Sequence, residues 1–479
     1  MQRAILSGIR AAGTGNRVKP TSVLILAHRR AVLAPVTPAP AARRARPTHL
    51  VVFRAPSAQN AQALTEVLKA RDAGRTGAQG VVRAMRLPDQ RELRMHERIA
   101  VAAATLVDQE VAALRARGDL EVVDNHRRSI PRPVPSPKAP TRPVRASDTQ
   151  TVRLVAYLRG VIDASENALR FLGQVPGSAA PTWPVEMPMA RALDAADLTW
   201  ALSAIGVSTT SLTGRGVTVA LLDTGVDLTH PDLVQHFPTM SGTAVFVPDV
   251  DSVQDGHGHG THCAGVIAGS ANPRSGPRYS VAPEVTLLVG KVLDDEGSGF
   301  DDGIVEGIEW ASQMGAAVIS MSLGSVRSAG ALYSPLYERV GSTLLDQGTL
   351  LVAAAGNESH RPSEVAPLDN PAACPSFMAI GAVDSSLSVG WFSCGNVDHV
   401  KDVDLAAPGV AIQSAWTGGG YQLESGTSMA TPHVAGAAAL WAQSAELKGQ
   451  ALRDQLKSAA RPLGSASDFG TGLVQVPAS

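Results

Sequence analysis

From about Leu198 onward the chain carries uninterrupted apolar runs at Val217 to Leu222, Val285 to Val292, Ala316 to Leu323, Leu350 to Ala355 and Phe377 to Val383. Segments with helical spacing separate them. A strand covered on one face alternates apolar and polar residues, so runs without alternation predict strands buried on both faces. Their alternation with helices predicts an α/β domain over residues 198–479, a three-layer αβα sandwich around a mostly parallel central sheet. In such sheets ligands bind beyond the carboxyl ends of the strands, and polar residues placed there carry the information about chemistry.

The pattern before Leu198 is different. Leu50 to Phe53 reads as a strand, Ser57 to Arg71 as a helix with Ala61, Leu64, Val67 and Leu68 on one face, and Val81 to Leu87 as a second strand. Ile99 to Val107 is again strand-like, Asp108 is placed to cap a helix carrying Val111 and Leu114, Gly118 is placed to end it, and Leu120 to Val123 closes the series. The β-α-β-β-α-β order predicts a small α+β, ferredoxin-like domain over residues 48–128. Residues 1–47 mix Pro, Ala and Arg without a period and read as a disordered basic leader. Six prolines between Ser129 and Ser147 open a linker that continues to residue 197, with a helical spacer expected over Val152 to Leu172, divided at Gly160.

Charge changes this picture little. The formal net charge is −1, from 42 basic and 43 acidic residues, which gives no bias toward nucleic acid or a membrane surface. No Asp or Glu precedes Glu66, whereas ten Lys or Arg do, so a basic leader precedes a mildly acidic body. The leader's best apolar piece, Ser22 to Ala27, is shorter than a secretory core and runs directly into His28, Arg29 and Arg30. Three cysteines, Cys263, Cys374 and Cys394, allow at most one disulfide and match no zinc spacing.

Four polar positions stand at strand ends or helix starts. Asp223 ends the run GVTVALL and is followed by Thr224 and Gly225; taken alone, Asp-Thr-Gly fits an aspartic protease or a turn equally well. The segment DGHGHGTHCAG offers His257, His259 and His262, either as zinc ligands or with His259 as a general base oriented by Asp223 and His262 as a structural residue. Asn357 ends LLVAAAGN, where its amide can donate to developing negative charge. In GTSMATPHVAG, Ser428 falls at the start of an alanine-rich helix, where hydroxyl and backbone N–H face the positive end of the helix dipole. Pro432 is expected in the first turn and Gly436 at a close helix contact. Ser322, Leu323 and Gly324 on one side and Gly297, Ser298 and Gly299 on the other can hold an extended peptide as a strand between two backbones.

In the order Asp223, His259, Asn357, Ser428, with the motifs DTGVD, HGTHCAG, AAAGNE and GTSMATPHVAG, the sequence resembles the subtilisin-like serine proteases, or subtilases, over roughly Leu198 to Val476. Cys263 after the second histidine leans toward the proteinase K branch. The resemblance implies a Ser428–His259–Asp223 triad, an oxyanion hole from the Asn357 side chain and the Ser428 N–H, and a pocket walled by Ala354, Ala355, Gly356 and residues 322–324, with room for a large apolar side chain. It implies acyl transfer on peptide or protein substrates without a cofactor for the chemistry. It further implies that residues 48–128 are an inhibitory propeptide removed by self-cleavage, although about seventy residues then separate it from the protease. Subtilases often bind calcium, and Asp232 in HPDL matches a carboxylate ligand; the loop Ser270 to Ser280 nevertheless holds two arginines and no carboxylate. A monomer is expected. The family leans toward export, with an intracellular enzyme as the alternative. The competing readings are a zinc hydrolase, which leaves Asn357 and Ser428 without a role, and a peptide-binding protein that keeps the fold without the chemistry.

Overall fold

A computed structural model describes residues 46–134, with breaks at 54–57, 77–81, 88, 90, 118 and 132–133, and residues 198–478. The basic leader through residue 45 and most of the linker, including the helix expected over Val152 to Leu172, lie outside the described residues. So does the helix end expected at Gly118.

The amino-terminal part runs β1 (His49–Phe53), α1 (Ala58–Val67), β2 (Arg71–Thr76), β3 (Val82–Arg86), β4 (Glu92–His96), β5 (Val101–Ala104), α2 (Asp108–Arg115), β6 (Leu120–Asp124) and β7 (Arg127–Ser129). Strands β1 to β6 form one antiparallel sheet in the order β2-β3-β4-β5-β1-β6. The expected six-element order is present but widened by β2 and β4, whose sequences RDAGRT and ELRMH lack a long apolar run. Asp108 does not cap α2. It is the first helical residue, and Glu110 Oε2 instead accepts the Val107 N–H at 2.9 Å, satisfying the free helix end.

Side chains of β1 and β5 point alternately to two apolar environments. Val51, Phe53, Ala102 and Ala104 pack with Leu64, Val111 and Leu114 under the sheet's own helices. Leu50, Val52, Ile99, Val101 and Ala103 face the other way, into the core of the following domain. The linker assigned from Ser129 therefore begins inside the fold, because Ser129 closes β7 and Val134 is buried among residues of the larger domain.

That domain contains α3 (Trp200–Ala204), β8 (Thr218–Asp223), β9 (Thr243–Val245), α4 (His259–Ala268), β10 (Thr286–Lys291), β11 (Ser298–Phe300), α5 (Asp301–Gln313) and β12 (Val318–Met321). It continues with α6 (Pro335–Asp346), β13 (Leu350–Ala354), β14 (Met378–Val383), β15 (Leu405–Pro408), β16 (Ile412–Trp416), β17 (Gly420–Glu424), α7 (Thr427–Ala445) and α8 (Gly449–Ala459). Seven strands pair in parallel in the order β15-β14-β13-β12-β8-β10-β9. Val219 and Leu221 of β8 pack toward α4 and α7, whereas Ala220 and Leu222 pack toward α5 and α6. Covered strands are the physical cause of the uninterrupted apolar runs. From β8 the chain builds toward β10 and β9, then returns to build β12 to β15 on the other side. Beyond the carboxyl ends at this reversal the site lies.

Helix α7 crosses the core closely enough that a Cβ on Gly436 would lie 2.5 Å from Val281 Cβ. Replacing glycine by alanine inside a helix gains about 1 kcal/mol of propensity, but forced overpacking costs about 1–3 kcal/mol. We expect Gly436→Ala to lower stability despite its better propensity, read as a lower denaturant midpoint at unchanged slope.

Candidate active site

Asp223 is the last residue of β8 and is fully buried, a placement a carboxylate tolerates only with strong hydrogen bonds. It has them: Oδ1 accepts the Thr224 N–H at 2.7 Å and lies 2.7 Å from Nδ1 of His259, the first residue of α4. Burial opposes protonation of His259, but the Asp223 charge and hydrogen bond outweigh it, and the imidazole pKa is raised above the ordinary 6.5. His259 Nε2 has no hydrogen-bond partner. With Nδ1 committed to Asp223, Nε2 is the nitrogen left to take a proton.

Ser428 is the second residue of α7, after Gly426 and Thr427. Pro432 is not in the first turn; it is the sixth helical residue. A proline there removes the N–H that would bond the carbonyl four residues back, which is that of Ser428. Ser322 Oγ donates to this carbonyl at 2.8 Å and Cys263 Sγ at 3.5 Å. The proline thus lets the turn that carries Ser428 be tied to β12's end and to α4 at once. Burial pushes the Cys263 thiol well up, so it stays protonated beside Asp223 and His259. Ser428 Oγ donates to the Ser322 carbonyl at 3.5 Å, so the serine and His259 Nε2 are not bonded to each other here.

Asn357 follows β13, and its Oδ1 accepts both the N–H (2.9 Å) and the hydroxyl (2.8 Å) of Thr427. This turns its amide nitrogen toward the helix start. A Cβ built on Gly426 would sit 3.2 Å from Asn357 Nδ2 and 3.6 Å from Ser428 N. Two N–H groups therefore border the position that a side chain at 426 would fill.

The cleft in front of these groups is occupied by the chain itself. β7 pairs antiparallel with β11, matching Ser129 to Ser298 and Arg128 to Gly299, and the Ile130 N–H donates to Gly297 O at 3.0 Å. On its other side Ser129 and Gly324 exchange both backbone hydrogen bonds, at 3.0 and 2.9 Å. The two backbones read from sequence as peptide edges thus flank residues 127–130. Sequence reasoning missed the occupant: Arg-Arg-Ser has no apolar pattern to mark it as a strand. Leu323 is buried in the core, so it meets the cleft through its backbone. Behind Ala354, Ala355 and Gly356, a Cβ on Gly356 would meet the carboxyls of Glu358 and Asp369 within 2.9 Å. Burial and the neighbouring Glu358 raise the Asp369 pKa well above the carboxylate range. The small-residue wall is thus backed by a carboxyl pair.

The remaining candidates separate. His262 Nε2 bonds the Ile412 carbonyl at 2.9 Å, and burial depresses its pKa to about 3, so it is a neutral structural residue while His259 faces Asp223. The three imidazoles do not converge on a zinc site. Asp232 Oδ1 accepts the Arg274 N–H at 3.0 Å, and Oδ2 accepts the hydroxyls of Tyr279 at 2.7 Å and Tyr421 at 2.9 Å. Burial and Asp232 push the Tyr421 phenol up to about 12, so it remains a donor. Three donors fill the lone pairs a calcium ion would need, and the residues at Asp232 do not fit that ion. All three cysteines are buried and free. Among the described residues no helix is long and apolar enough to cross a membrane.

A profile of the subtilase family matches residues 214–472. Subtilisin Savinase of Lederbergia lenta is 42% identical over 269 residues, 56% of this chain and 92% of the relative. Subtilisin E of Bacillus subtilis (strain 168) is 43% identical over 269 residues, covering 66% of its own length. Among solved structures, Sphericase aligns with 58% of this chain and 98% of its own at 32% identity and a TM-score of 0.49. With more than half of its length matched by the family profile, and with a 42% identical relative matched over nearly its whole length, the chain belongs to the subtilases and is a serine endopeptidase.

Proposed function

We propose that Ser428 is the nucleophile of this endopeptidase, His259 its general base, Asp223 the carboxylate that orients the base, and Asn357 Nδ2 with Ser428 N the oxyanion hole. One observation carries the reading. Ser129 pairs antiparallel with Gly324, and the same register continued by two residues would bring residue 131 opposite Ser322, whose carbonyl is 3.5 Å from Ser428 Oγ. A peptide lying as β7 lies presents the bond after residue 131 to that serine.

Ser428 Oγ attacks the carbonyl carbon while its proton passes to His259 Nε2. The resulting imidazolium is stabilised by Asp223, and the carbonyl oxygen takes its charge into the space beside Gly426 between the two N–H donors. Collapse returns the proton to the leaving amine and leaves an acyl-enzyme. Water attacks it with His259 again as base, releasing the acid and restoring Ser428. Residues 297–299 and 322–324 hold the substrate backbone, and 354–356 wall the pocket for the residue before the scissile bond.

The same register supports reading residues 48–128 as an inhibitory propeptide whose trailing strand fills the cleft, and a slow self-cleavage between Pro131 and Arg132. Pro131 has no N–H to offer the Ser322 carbonyl, so the grip beside the scissile bond is incomplete. The subtilisins compared above lend no support to the proteinase K leaning of Cys263. We assign no calcium to Asp232, and we take the enzyme to act as a monomer.

Intact mass and amino-terminal sequencing over time test the processing step: the wild type should acquire a terminus at Arg132, while Ser428→Ala stays full length. Equal shortening of both would remove the nucleophile assignment. Asp223→Asn should lower kcat by about 10⁴-fold, as loss of the orienting carboxylate does in other triads. His259 works as the neutral base, so activity falls as pH drops through its raised pKa. In Asp223→Asn that acid limb should move to lower pH, which a pH profile of kcat/KM would detect; an unmoved limb would detach Asp223 from His259.

A further inference from the structure

The side chain of Arg128 lies in a built pocket of the protease. It comes from the middle of β7 and is 7% exposed. Its Nε donates to Asp301 Oδ1 at 2.6 Å and its Nη2 to Asp301 Oδ2 at 3.0 Å, the two-pronged geometry that a guanidinium makes and an ammonium does not. Nη1 donates to the Ser325 hydroxyl, and the guanidinium carbon stands 5.4 Å from the centre of the Tyr337 ring. Asp301 is 1% exposed and is itself held by the Tyr337 hydroxyl at 2.8 Å.

Asp301 is the first residue of α5, and an acid there also suits the helix dipole. That role does not require Ser325 and Tyr337 to complete a ring around a guanidinium. Burial opposes ionisation of Asp301, but hydrogen bonds from His126 and Arg128 and the Arg128 charge outweigh it, so the carboxylate is ionised in the pocket. The donor belongs to a segment lying as a substrate strand lies. Continued from the Ser129–Gly324 bridge, the register makes Arg128 the fourth residue before the bond that would face Ser428.

We propose that the pocket of Asp301, Ser325 and Tyr337 selects substrates with arginine at the fourth residue before the cleaved bond, Arg128 being the chain's own occupant of that pocket. The inference rests on Ser428 being the nucleophile, which fixes the count from the scissile bond. It names the substrate class as arginine-bearing extended peptides.

The full chain, incubated with peptides from a glutamyl-endopeptidase digest of a whole proteome, should leave new termini preceded at the fourth position by arginine. Truncating one partner of a buried charge pair is costly enough that the enrichment over leucine or glutamine should be about 30-fold or more. Asp301→Asn, which keeps an acceptor for Tyr337, should erase the enrichment. Independently, Arg128→Ala and Asp301→Asn should each speed labelling of Ser428 by a fluorophosphonate in the full chain, and the double variant should gain no more than either alone. Uniform or apolar preference at that position, or additive effects on labelling, would overturn the inference and leave the endopeptidase standing. No cleavage and no labelling in any of these proteins would take the nucleophile assignment with it.

Discussion

The site depends on one buried carboxylate. Asp223 ends a strand covered on both faces, with no solvent to share its charge, so the fold must supply hydrogen bonds where the strand stops. His259 answers that requirement from the first turn of α4, which fixes the ring and leaves its far nitrogen as the proton acceptor. Ser428 is set by a second helix, α7, whose missing internal bond at Pro432 is replaced by bonds to Ser322 and Cys263. Three elements that are distant in sequence are thereby joined by polar contacts.

The second organising feature is a strand that belongs to one part of the chain and completes another. Among the described residues β7 joins no strand of the amino-terminal sheet and pairs with β11 and residue 324. The amino-terminal sheet adds polar contacts of its own. Arg94 meets Asp302 at 2.5 Å and Glu306 at 3.0 Å, and His96 meets Glu309 at 2.9 Å, all on the acidic face of α5. Backbone pairing sets the direction of the segment in the cleft, and these partly buried pairs, together with the apolar faces of β1 and β5, set its position.

Much of this was legible in the sequence. The apolar runs mark β8, β10, β12, β13 and β14 because burial on both faces suppresses alternation, and the four motifs lie at strand ends or helix starts as a parallel sheet requires. What was not legible depends on partners rather than on pattern. β7 is polar, β17 is half-buried along its whole length, and β2 and β4 are short polar strands, so none carries a periodic signal. Pro432 was placed a turn too early because nothing local distinguishes a tolerated proline from one whose lost bond is replaced elsewhere. Asp232 looked like a metal ligand until Tyr279 and Tyr421, distant in sequence, took its lone pairs. The apolar runs LVVF in β1 and VAAA in β5 are uninterrupted, as in the central sheet, and burial of both faces of these strands is their physical cause.

That second surface would give any cleavage of the chain a direction in time. Leu50, Val52, Ile99, Val101 and Ala103 are dry only while the amino-terminal sheet rests on the protease core. Were the chain cut after Pro131, departure of the fragment would wet them, at about 25 cal/mol for each Å² of apolar surface. Dissociation would be uphill and rebinding quick, until a first free enzyme digested a departed fragment. Each such event would release further enzyme, so maturation of a population would begin with a lag and then accelerate, an autocatalytic ratchet arising from the two-sided burial of a single small sheet.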